Sequence, residues 1–243
     1  MIEDRAQQIE DVKRRVASMG ALPLEWRVIQ VGPERFEMAT CRGAEALLED
    51  LIAGDPASPA VLDERLPYWT EIWPSALAVA GRVVERGREW AGKQVLDLGC
   101  GLGLAGVAAG RCGADVCLCD YDEKAVQFAA LNWVANVNRE PQAVVMDWRE
   151  PTLGPIFDRI LAADIVYEKR FFEPVIRAFD CLLKPGGEIW MGEPNRPFSS
   201  GFFSVLSAHG YSYRREERSV SFPNPDQPTV VGLYTIRSEA RSP

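Results

Sequence analysis

Asp97 ends an apolar, strand-like segment and is followed by glycines at alternate positions, Gly99, Gly101 and Gly103. Glycine has no Cβ, so the backbone at these positions can turn tightly and approach a ligand closely. A carboxylate at the start of such a turn can accept hydrogen bonds from a cationic or hydroxylated ligand. The chain then continues into a helix-like stretch over 104–109. We interpret the segment as the binding loop for a nucleotide-like cofactor.

Three further aspartates, Asp120, Asp147 and Asp164, stand where other strand-like segments end. Ligands of open parallel sheets bind beyond the carboxyl ends of the strands. Each acid alone could be a helix cap or a solvated loop residue, but four at successive strand ends are hard to explain in that way. The sequence therefore predicts that all four acids line one site.

The elements that position these acids follow from an alternation of strand-like and helix-like segments, which favours a parallel sheet covered by helices. Two consecutive strand-like runs at the C-terminal end indicate an antiparallel hairpin at one edge. The fold class is therefore α/β, a Rossmann-like, mainly parallel sheet of seven strands with helices on both faces. The strands are expected at 94–98, 115–119, 143–147, 158–163, 187–192, 211–219 and 229–236, and the helices at 104–112, 122–136, 171–183 and 198–208.

The first 73 residues carry a different pattern. A helix is expected at 3–18, a hairpin over 24–40 and a second helix at 43–52. We therefore expect an N-terminal helix–hairpin–helix extension over 1–73 and the main domain over 74–243. The main domain begins with a helix at 75–86, which Pro74 can start.

The spacing Asp-x-Gly-x-Gly-x-Gly, together with Leu-Lys-Pro-Gly-Gly at 183–187, resembles the class I S-adenosylmethionine (SAM)-dependent methyltransferases over residues 92–195. That fold ends in an antiparallel hairpin. The resemblance implies SAM as cofactor and S-adenosylhomocysteine as product, bound by Asp97 and the glycine loop. Further cofactor contacts are expected at the next strand ends: Asp120 on the ribose hydroxyls, Tyr121 over the adenine, Asp147 on the adenine amino group, Trp148 stacking on the base, and Asp164.

Two more segments point to a smaller group within these methyltransferases. Tyr-Trp-Thr-Glu-Ile-Trp-Pro-Ser at 68–75 and Asp164-Ile-Val-Tyr167 are similar to the seven-β-strand protein lysine methyltransferases, the methyltransferase-21-like group. The resemblance implies that Trp73 lies against SAM and that Asp164 and Tyr167 lie beside the acceptor amine, as the catalytic residues. The alternative is that Trp69 and Trp73 only pack the N-terminal helices onto the sheet and that Tyr167 is a packing residue.

A lysine acceptor must lose a proton before it attacks, because its pKa is about 10.4. A desolvated channel with aromatic walls lowers that pKa by disfavouring the cation. Trp69, Tyr167 and Trp190 are the candidate walls, and Glu193 and Asn195 leave strand 187–192 on the same rim, where they could contact substrate. The negative charge of Asp164 would raise the amine pKa, so we assign it orientation rather than activation.

Other interpretations of the same residues stay open. Gly101, Gly103 and Gly106 also fit Gly-x-Gly-x-x-Gly, and Asp120 lies near the distance expected for a dinucleotide-binding acid, so an NAD-dependent oxidoreductase is one alternative. A glycine-rich turn that merely packs is another. Within the methyltransferases, the chain could be a small-molecule N- or O-methyltransferase, or a regulatory protein that binds SAM without turnover.

The bulk composition constrains the partners. A net charge of −8 and a pI of about 4.9 disfavour binding to nucleic acid. No apolar run approaches the roughly 20 residues that span a bilayer, and the charged N-terminus lacks a signal segment. We therefore expect a cytoplasmic protein with a protein substrate and no membrane partner. His209 is the only histidine and the six cysteines lack metal-ligand spacing, so no metal site is expected.

Overall fold

The computed structural model describes residues 24–42, 44–55, 66–137, 139–222 and 226–239, together with residues 14, 57, 61 and 63. The helix expected at 3–18 lies almost entirely outside this part of the chain. The described helices are α1 (Ala44–Ala53), α2 (Pro74–Arg86), α3 (Leu104–Arg111), α4 (Glu123–Asn136), α5 (Phe172–Leu182) and α6 (Ser199–Ala208).

The strands form two sheets. Strands β1 and β2 pair as an isolated antiparallel hairpin, and the other seven form one sheet in the order β5-β4-β3-β6-β7-β9-β8. Only β9 runs antiparallel to its two neighbours. The predicted fold class is thereby confirmed, including the antiparallel C-terminal hairpin. The strands are β1 (Leu24–Val31), β2 (Glu34–Cys41), β3 (Gln94–Leu98), β4 (Asp115–Asp120), β5 (Gln142–Val145), β6 (Phe157–Ala163), β7 (Leu183–Glu193), β8 (Tyr211–Val220) and β9 (Thr229–Ser238).

Apolar side chains bury both faces of the large sheet. Helices α2, α3 and α4 cover one face, with Val83, Val107 and Leu131 in that cluster. Helices α5 and α6 cover the other, with Phe179 and Phe202 among the buried residues. Alternate side chains of a strand point to opposite faces, so each central strand contributes to both clusters. In the described chain, no helix combines the length and the apolar character needed to cross a bilayer.

The direction of pairing positions the acids that the sequence singled out. Strand β3 lies between β4 and β6 and is parallel to both. The chain order reverses at β3, and the crevice of an open α/β sheet forms at such a point. Asp97, Asp120 and Asp164 therefore come together at the carboxyl edge of the sheet.

The hairpin β1–β2 is attached to helix α4 by asparagine side chains. Asn132 accepts a hydrogen bond from the Ala39 amide (2.6 Å) and donates to the carbonyl oxygens of Ala39 (3.1 Å) and Leu102 (2.9 Å). Asn136 similarly bonds the amide and carbonyl of Glu37. Because Leu102 belongs to the glycine loop, Asn132 links the hairpin to the cofactor-binding region.

Candidate cofactor and acceptor site

A cavity of about 360 Å³ opens at the carboxyl edge of the large sheet. This volume lies within the usual range for small-molecule sites, about 300–1,000 Å³. Its walls come from residues of the segments 66–76, 97–105 and 163–168. Four further residues complete the lining: Asp120, Tyr121, Trp148 and Arg196.

The glycine loop forms one wall of the cavity and requires glycine. Gly99, Gly101 and Gly103 have φ values of 65°, 52° and 80°, in the region that side-chain-bearing residues rarely adopt. A Cβ on Gly99 would stand 2.7 Å from Cγ2 of Ile165 and 2.9 Å from Cζ3 of Trp148. Glycine at 99 therefore lets Ile165 and Trp148 pack directly on the loop backbone, and the loop lines the cavity without side chains at its three glycines.

Two buried carboxylates stand behind the loop. Asp97 accepts a hydrogen bond from the Gly106 amide (2.8 Å), and Asp120 accepts one from the Gly101 amide (2.9 Å). Burial away from water raises the pKa of Asp97 to about 7 and that of Asp120 to about 6, against the opposing effect of these hydrogen bonds. A ligand that donates hydrogen bonds to the carboxylates would relieve this cost.

Tyr121 and Trp148 form the part of the cavity where a flat ring could lie. Their rings meet edge to face with centroids 6.0 Å apart. The indole nitrogen of Trp148 is buried without a hydrogen-bond partner among the described residues. Buried polar groups are normally paired, so an unpaired donor at this position is unusual.

A second group of aromatic rings lines the cavity. Tyr68 contacts Trp73 and Tyr167, with centroids 6.1 Å and 5.6 Å apart. The Trp73 indole nitrogen donates to the Tyr68 carbonyl (2.8 Å) and its side chain remains 38% exposed. Trp69 is buried against Phe128, 5.2 Å between centroids. Burial raises the pKa of Tyr167, so this hydroxyl stays protonated.

Asp164 forms an ion pair with Arg196 inside the cavity. Asp164 adopts a φ of 62° and its side chain is only 8% exposed. Burial raises the pKa of this carboxyl, and the bond from Arg196 opposes the rise. A non-glycine residue held in the left-handed region is strained, and such strain is concentrated at functional sites.

Arg196 did not stand out in the sequence, and its position depends on a buried carboxylate. Glu193 is 1% exposed and accepts hydrogen bonds from the amides of Asn195 (2.7 Å) and Arg196 (2.8 Å). This holds the loop after β7 so that the guanidinium points at Asp164. The only local signal was the position of Arg196 directly after Glu193-Pro-Asn195 at a strand end.

The structure places some predicted residues away from the cavity. Glu193 and Asn195 do not line it: Glu193 holds its own loop, and the Asn195 side chain donates to the Val230 carbonyl (2.9 Å). Trp190 lies three residues before the end of β7, about 10 Å along the strand. Its ring packs against that of Trp90, with 4.7 Å between the centroids, and does not line the cavity.

Asp147 also lies outside the main cavity, although Trp148 lines it. Its carboxylate accepts hydrogen bonds from Nε (2.9 Å) and Nη2 (2.6 Å) of Arg149. Arg149 in turn binds Asp63. Strand β5 ends at Val145, two residues earlier than predicted, so Asp147 turns towards Arg149 instead of towards the crevice.

The model of one protein family, described as lysine methyltransferase, matches residues 69–209, more than half of the chain. The chain belongs to the lysine methyltransferase family. The match contains the glycine loop, the four strand-end acids, Tyr167 and Arg196. The predicted methyltransferase activity and the similarity to the methyltransferase-21-like group are thereby confirmed, and SAM is the methyl donor.

Curated relatives agree with this assignment. This lysine methyltransferase is 28% identical over 182 residues to the rat histone-arginine methyltransferase METTL23, covering 70% of this chain and 79% of the relative. It is 30% identical over 165 residues to the zebrafish protein N-lysine methyltransferase METTL21A, covering 64% and 66%. With the rat electron transfer flavoprotein beta subunit lysine methyltransferase it shares 29% over 171 residues, covering 70% and 64%.

Solved structures support the fold of this lysine methyltransferase. The magnesium protoporphyrin IX methyltransferase of Synechocystis PCC 6803 with bound SAM superposes with a TM-score of 0.54 at 19% identity, covering 81% of this chain and 92% of that one. The ribosomal protein L11 methylase of Lactobacillus delbrueckii gives 0.54 at 19%, covering 68% and 78%. At these identities the likeness shows the fold alone.

The residues of the cavity fit SAM. The glycine loop lines the cavity with backbone that carries no side chain, and Asp97 and Asp120 present buried hydrogen-bond acceptors. The family assignment therefore decides the interpretation of the glycine loop in favour of SAM over a dinucleotide.

Proposed function

We propose that this methyltransferase transfers the methyl group of SAM to the ε-amine of a lysine in a protein substrate. The observation that carries the proposal is the joining of two environments in one cavity. The glycine loop and buried acids suit the cofactor, and the second group of aromatic rings with the Asp164–Arg196 pair suits an amine.

SAM supplies an electrophilic methyl group when it is bound, so the protein has to deliver an unprotonated amine in line with it and exclude water. A lysine amine is protonated at neutral pH, with a pKa of about 10.4. The rings of Tyr68, Trp73 and Tyr167 line the cavity with apolar surface. Such surroundings disfavour the ammonium over the neutral amine and lower its pKa.

Asp164 is proposed to orient the acceptor amine through a carboxylate oxygen. An isolated carboxylate would also hold the amine in its charged form, which cannot attack. The paired guanidinium of Arg196 offsets that charge while leaving hydrogen-bond acceptor capacity on Asp164. The pair therefore positions the amine with less elevation of its pKa than an unpaired aspartate would cause.

We propose the predicted cofactor contacts, Asp164 included, with one exception. Asp97, the three loop glycines and Asp120 are proposed to hold the methionine and ribose parts, with Tyr121 and Trp148 around the adenine and Trp73 against the sulfonium end. Asp147 is the exception, because Arg149 already occupies its carboxylate.

We further propose that the extension over 1–73 shapes the acceptor entrance, since Tyr68 and Trp69 of that segment line the cavity. A cytoplasmic location is also proposed. It is supported by the six cysteines, all free in the structure, because disulfides are favoured outside reducing compartments.

The names of the relatives leave arginine as the competing acceptor, since METTL23 of rat is a histone-arginine methyltransferase. The description of the matching family model, lysine methyltransferase, favours lysine.

The test is incubation of the protein with methyl-labelled SAM and a lysate of cells from which its gene has been deleted. We expect label in protein that resists mild base, as a methylamine does, and strong loss of label with the D164N variant. The matched control is D115N, at the opposite edge of the sheet, which should behave like the unmodified protein. Base-labile label would indicate a methyl ester, and label confined to small molecules would indicate another acceptor class; either result overturns the proposal.

A further inference from the structure

A second cavity, of about 660 Å³, lies on the sheet face that carries helix α2, away from the cofactor. It is lined by residues of α2, β6, β7, β8 and β9, and none of them lines the cofactor cavity. Arg159 of β6 lines the second cavity, whereas Ala163 of the same strand lines the first. The two residues are about 13 Å apart along the strand.

The second cavity is positively charged in a protein of net charge −8. Among the described residues, six arginines and three glutamates line it, a surplus of three positive charges. The arginines are Arg82, Arg86, Arg159, Arg214, Arg215 and Arg237.

Two of these arginines are fixed in place by aromatic rings. The guanidinium carbon of Arg82 stands 4.4 Å from the Trp190 ring centroid, and that of Arg159 stands 4.5 Å from the Trp90 ring centroid. Arg82 also donates to the Thr235 hydroxyl (2.7 Å). The side chains of Arg82 and Arg159 are only 11% and 13% exposed, so both cations are largely withdrawn from water.

One guanidinium nitrogen in this group has no acceptor. Nη1 of Arg159 is buried without a hydrogen-bond partner among the described residues. The carboxylate of the nearby Glu188 does not accept a hydrogen bond from this nitrogen. Its two oxygens accept hydrogen bonds from Trp190 Nε1 (3.2 Å) and from Arg237. A buried, unsatisfied donor costs about 1–3 kcal/mol, and more if it is charged, so such a group calls for a partner.

The surface of β8 adds an accessible cation. Arg214 is exposed and forms no ion pair or hydrogen bond with another described residue. It therefore differs from Arg82, which pairs with Glu216 (3.3 Å). An anion in the cavity could contact this free guanidinium, with the buried positive charge of Arg159 also lining the cavity.

We propose that this cavity is a second binding site, which takes a small phosphate-bearing anion such as a diphosphate group. The planar fork of guanidinium donors matches phosphate oxygens and binds them in pairs. A compact ligand fits better than nucleic acid, because the exposed Glu217 pairs with the cavity arginine Arg215 and would repel an extended polyanion.

The experiment is calorimetric titration of the full chain with inorganic pyrophosphate while S-adenosylhomocysteine saturates the cofactor cavity. We expect saturable binding at one site per chain. R214Q and R159Q should each weaken it at least tenfold, and R35Q, an exposed arginine on the β1–β2 hairpin, should leave it unchanged. Citrate should bind more weakly than pyrophosphate.

Retained affinity for S-adenosylhomocysteine in each variant shows that the variant is folded. R214Q is the safer of the two, because Arg214 is exposed whereas the Arg159 side chain is only 13% exposed. The proposal is overturned if pyrophosphate gives no saturable heat, if R214Q and R159Q bind it as well as R35Q does, or if a single-stranded oligonucleotide binds this site more tightly than pyrophosphate.

Discussion

At the scale of single residues, the cofactor cavity depends on carboxylates that burial makes reluctant to ionise. Asp120 has a pKa of about 6 and Asp97 of about 7, both above their usual 3.8. The folded chain therefore holds more protons than the unfolded chain between about pH 4 and 7. These two groups make the unliganded protein less stable as the pH rises through that range.

Cofactor affinity should show the opposite dependence on pH. The ionised carboxylate of Asp120 is the better acceptor for ribose hydroxyls, so affinity for S-adenosylhomocysteine should fall, by about tenfold, from pH 7.5 to pH 5. Calorimetry at both values measures it. D120N should bind more weakly at pH 7.5 and lose the part of the dependence that comes from Asp120, while the part that comes from Asp97 remains. An affinity that is constant across this range would contradict the role given to Asp120.

Asp164 should matter for turnover more than for binding. D164N keeps the shape of the side chain but removes the charge that pairs with Arg196. If the carboxylate orients the reacting amine, turnover should fall by roughly tenfold to a thousandfold. Initial rates with labelled SAM measure the loss. Unchanged turnover in a folded variant would exclude the orienting role.

The Tyr167 side chain has two candidate roles: its ring as an apolar wall of the cavity, or its hydroxyl as a hydrogen-bonding group. The Y167F variant distinguishes them. Y167F keeps the ring that contacts Tyr68 and removes only the hydroxyl. A small loss of turnover is expected, because the ring provides the apolar wall. Affinity for S-adenosylhomocysteine should stay the same. A loss as large as that of D164N would show instead that the hydroxyl holds the amine.

At the scale of elements, Asn132 is the buried side chain whose hydrogen bonds tie the β1–β2 hairpin to α4 and to the glycine loop. N132A removes three hydrogen bonds and leaves backbone groups of Ala39 and Leu102 without partners. We expect a loss of about 3 kcal/mol in the free energy of unfolding, measured with urea. N136A, whose bonds to Glu37 are more exposed, should cost less than about 1 kcal/mol. Equal losses would contradict this account.

The elements themselves were largely readable from the sequence. Alternating apolar segments predicted the succession of strands and helices along the chain, and the glycine loop predicted a ligand-binding crevice. Both predictions depend on local sequence patterns. Asp147 and Arg196 were not readable in this way. Their positions depend on partners distant along the chain: Asp63 for Arg149, which holds Asp147, and Asp164 for Arg196.

The position of Trp190 shows the same limit. Its place on β7 followed from the sequence, but Trp190 lies three residues before the carboxyl end that faces the ligand. Its packing partner, Trp90, is distant along the chain. Strand β7 runs to Glu193, and Trp190 joins Trp90 beneath the arginines of the second cavity. An aromatic residue near a strand end therefore does not by itself indicate a ligand contact.

At the scale of the whole molecule, cofactor binding should stabilise the fold. A ligand at 100 times its Kd adds about 2.7 kcal/mol, which raises the Tm of a chain of this size by about 5–10 °C. We expect S-adenosylhomocysteine to give such a rise in calorimetric scans and NAD to give none. The reverse pattern would contradict the assignment of the glycine loop to SAM.

The central claim is that the molecule methylates a lysine ε-amine in a protein. The most direct measurement is peptide mass spectrometry of a gene-deleted lysate after incubation with SAM that carries a trideuterated methyl group. The account predicts trideuteromethyl on lysine in one or a few proteins, and its absence when D164N replaces the unmodified enzyme. Trideuteromethyl on arginine or on a carboxylate, with none on lysine, would contradict it.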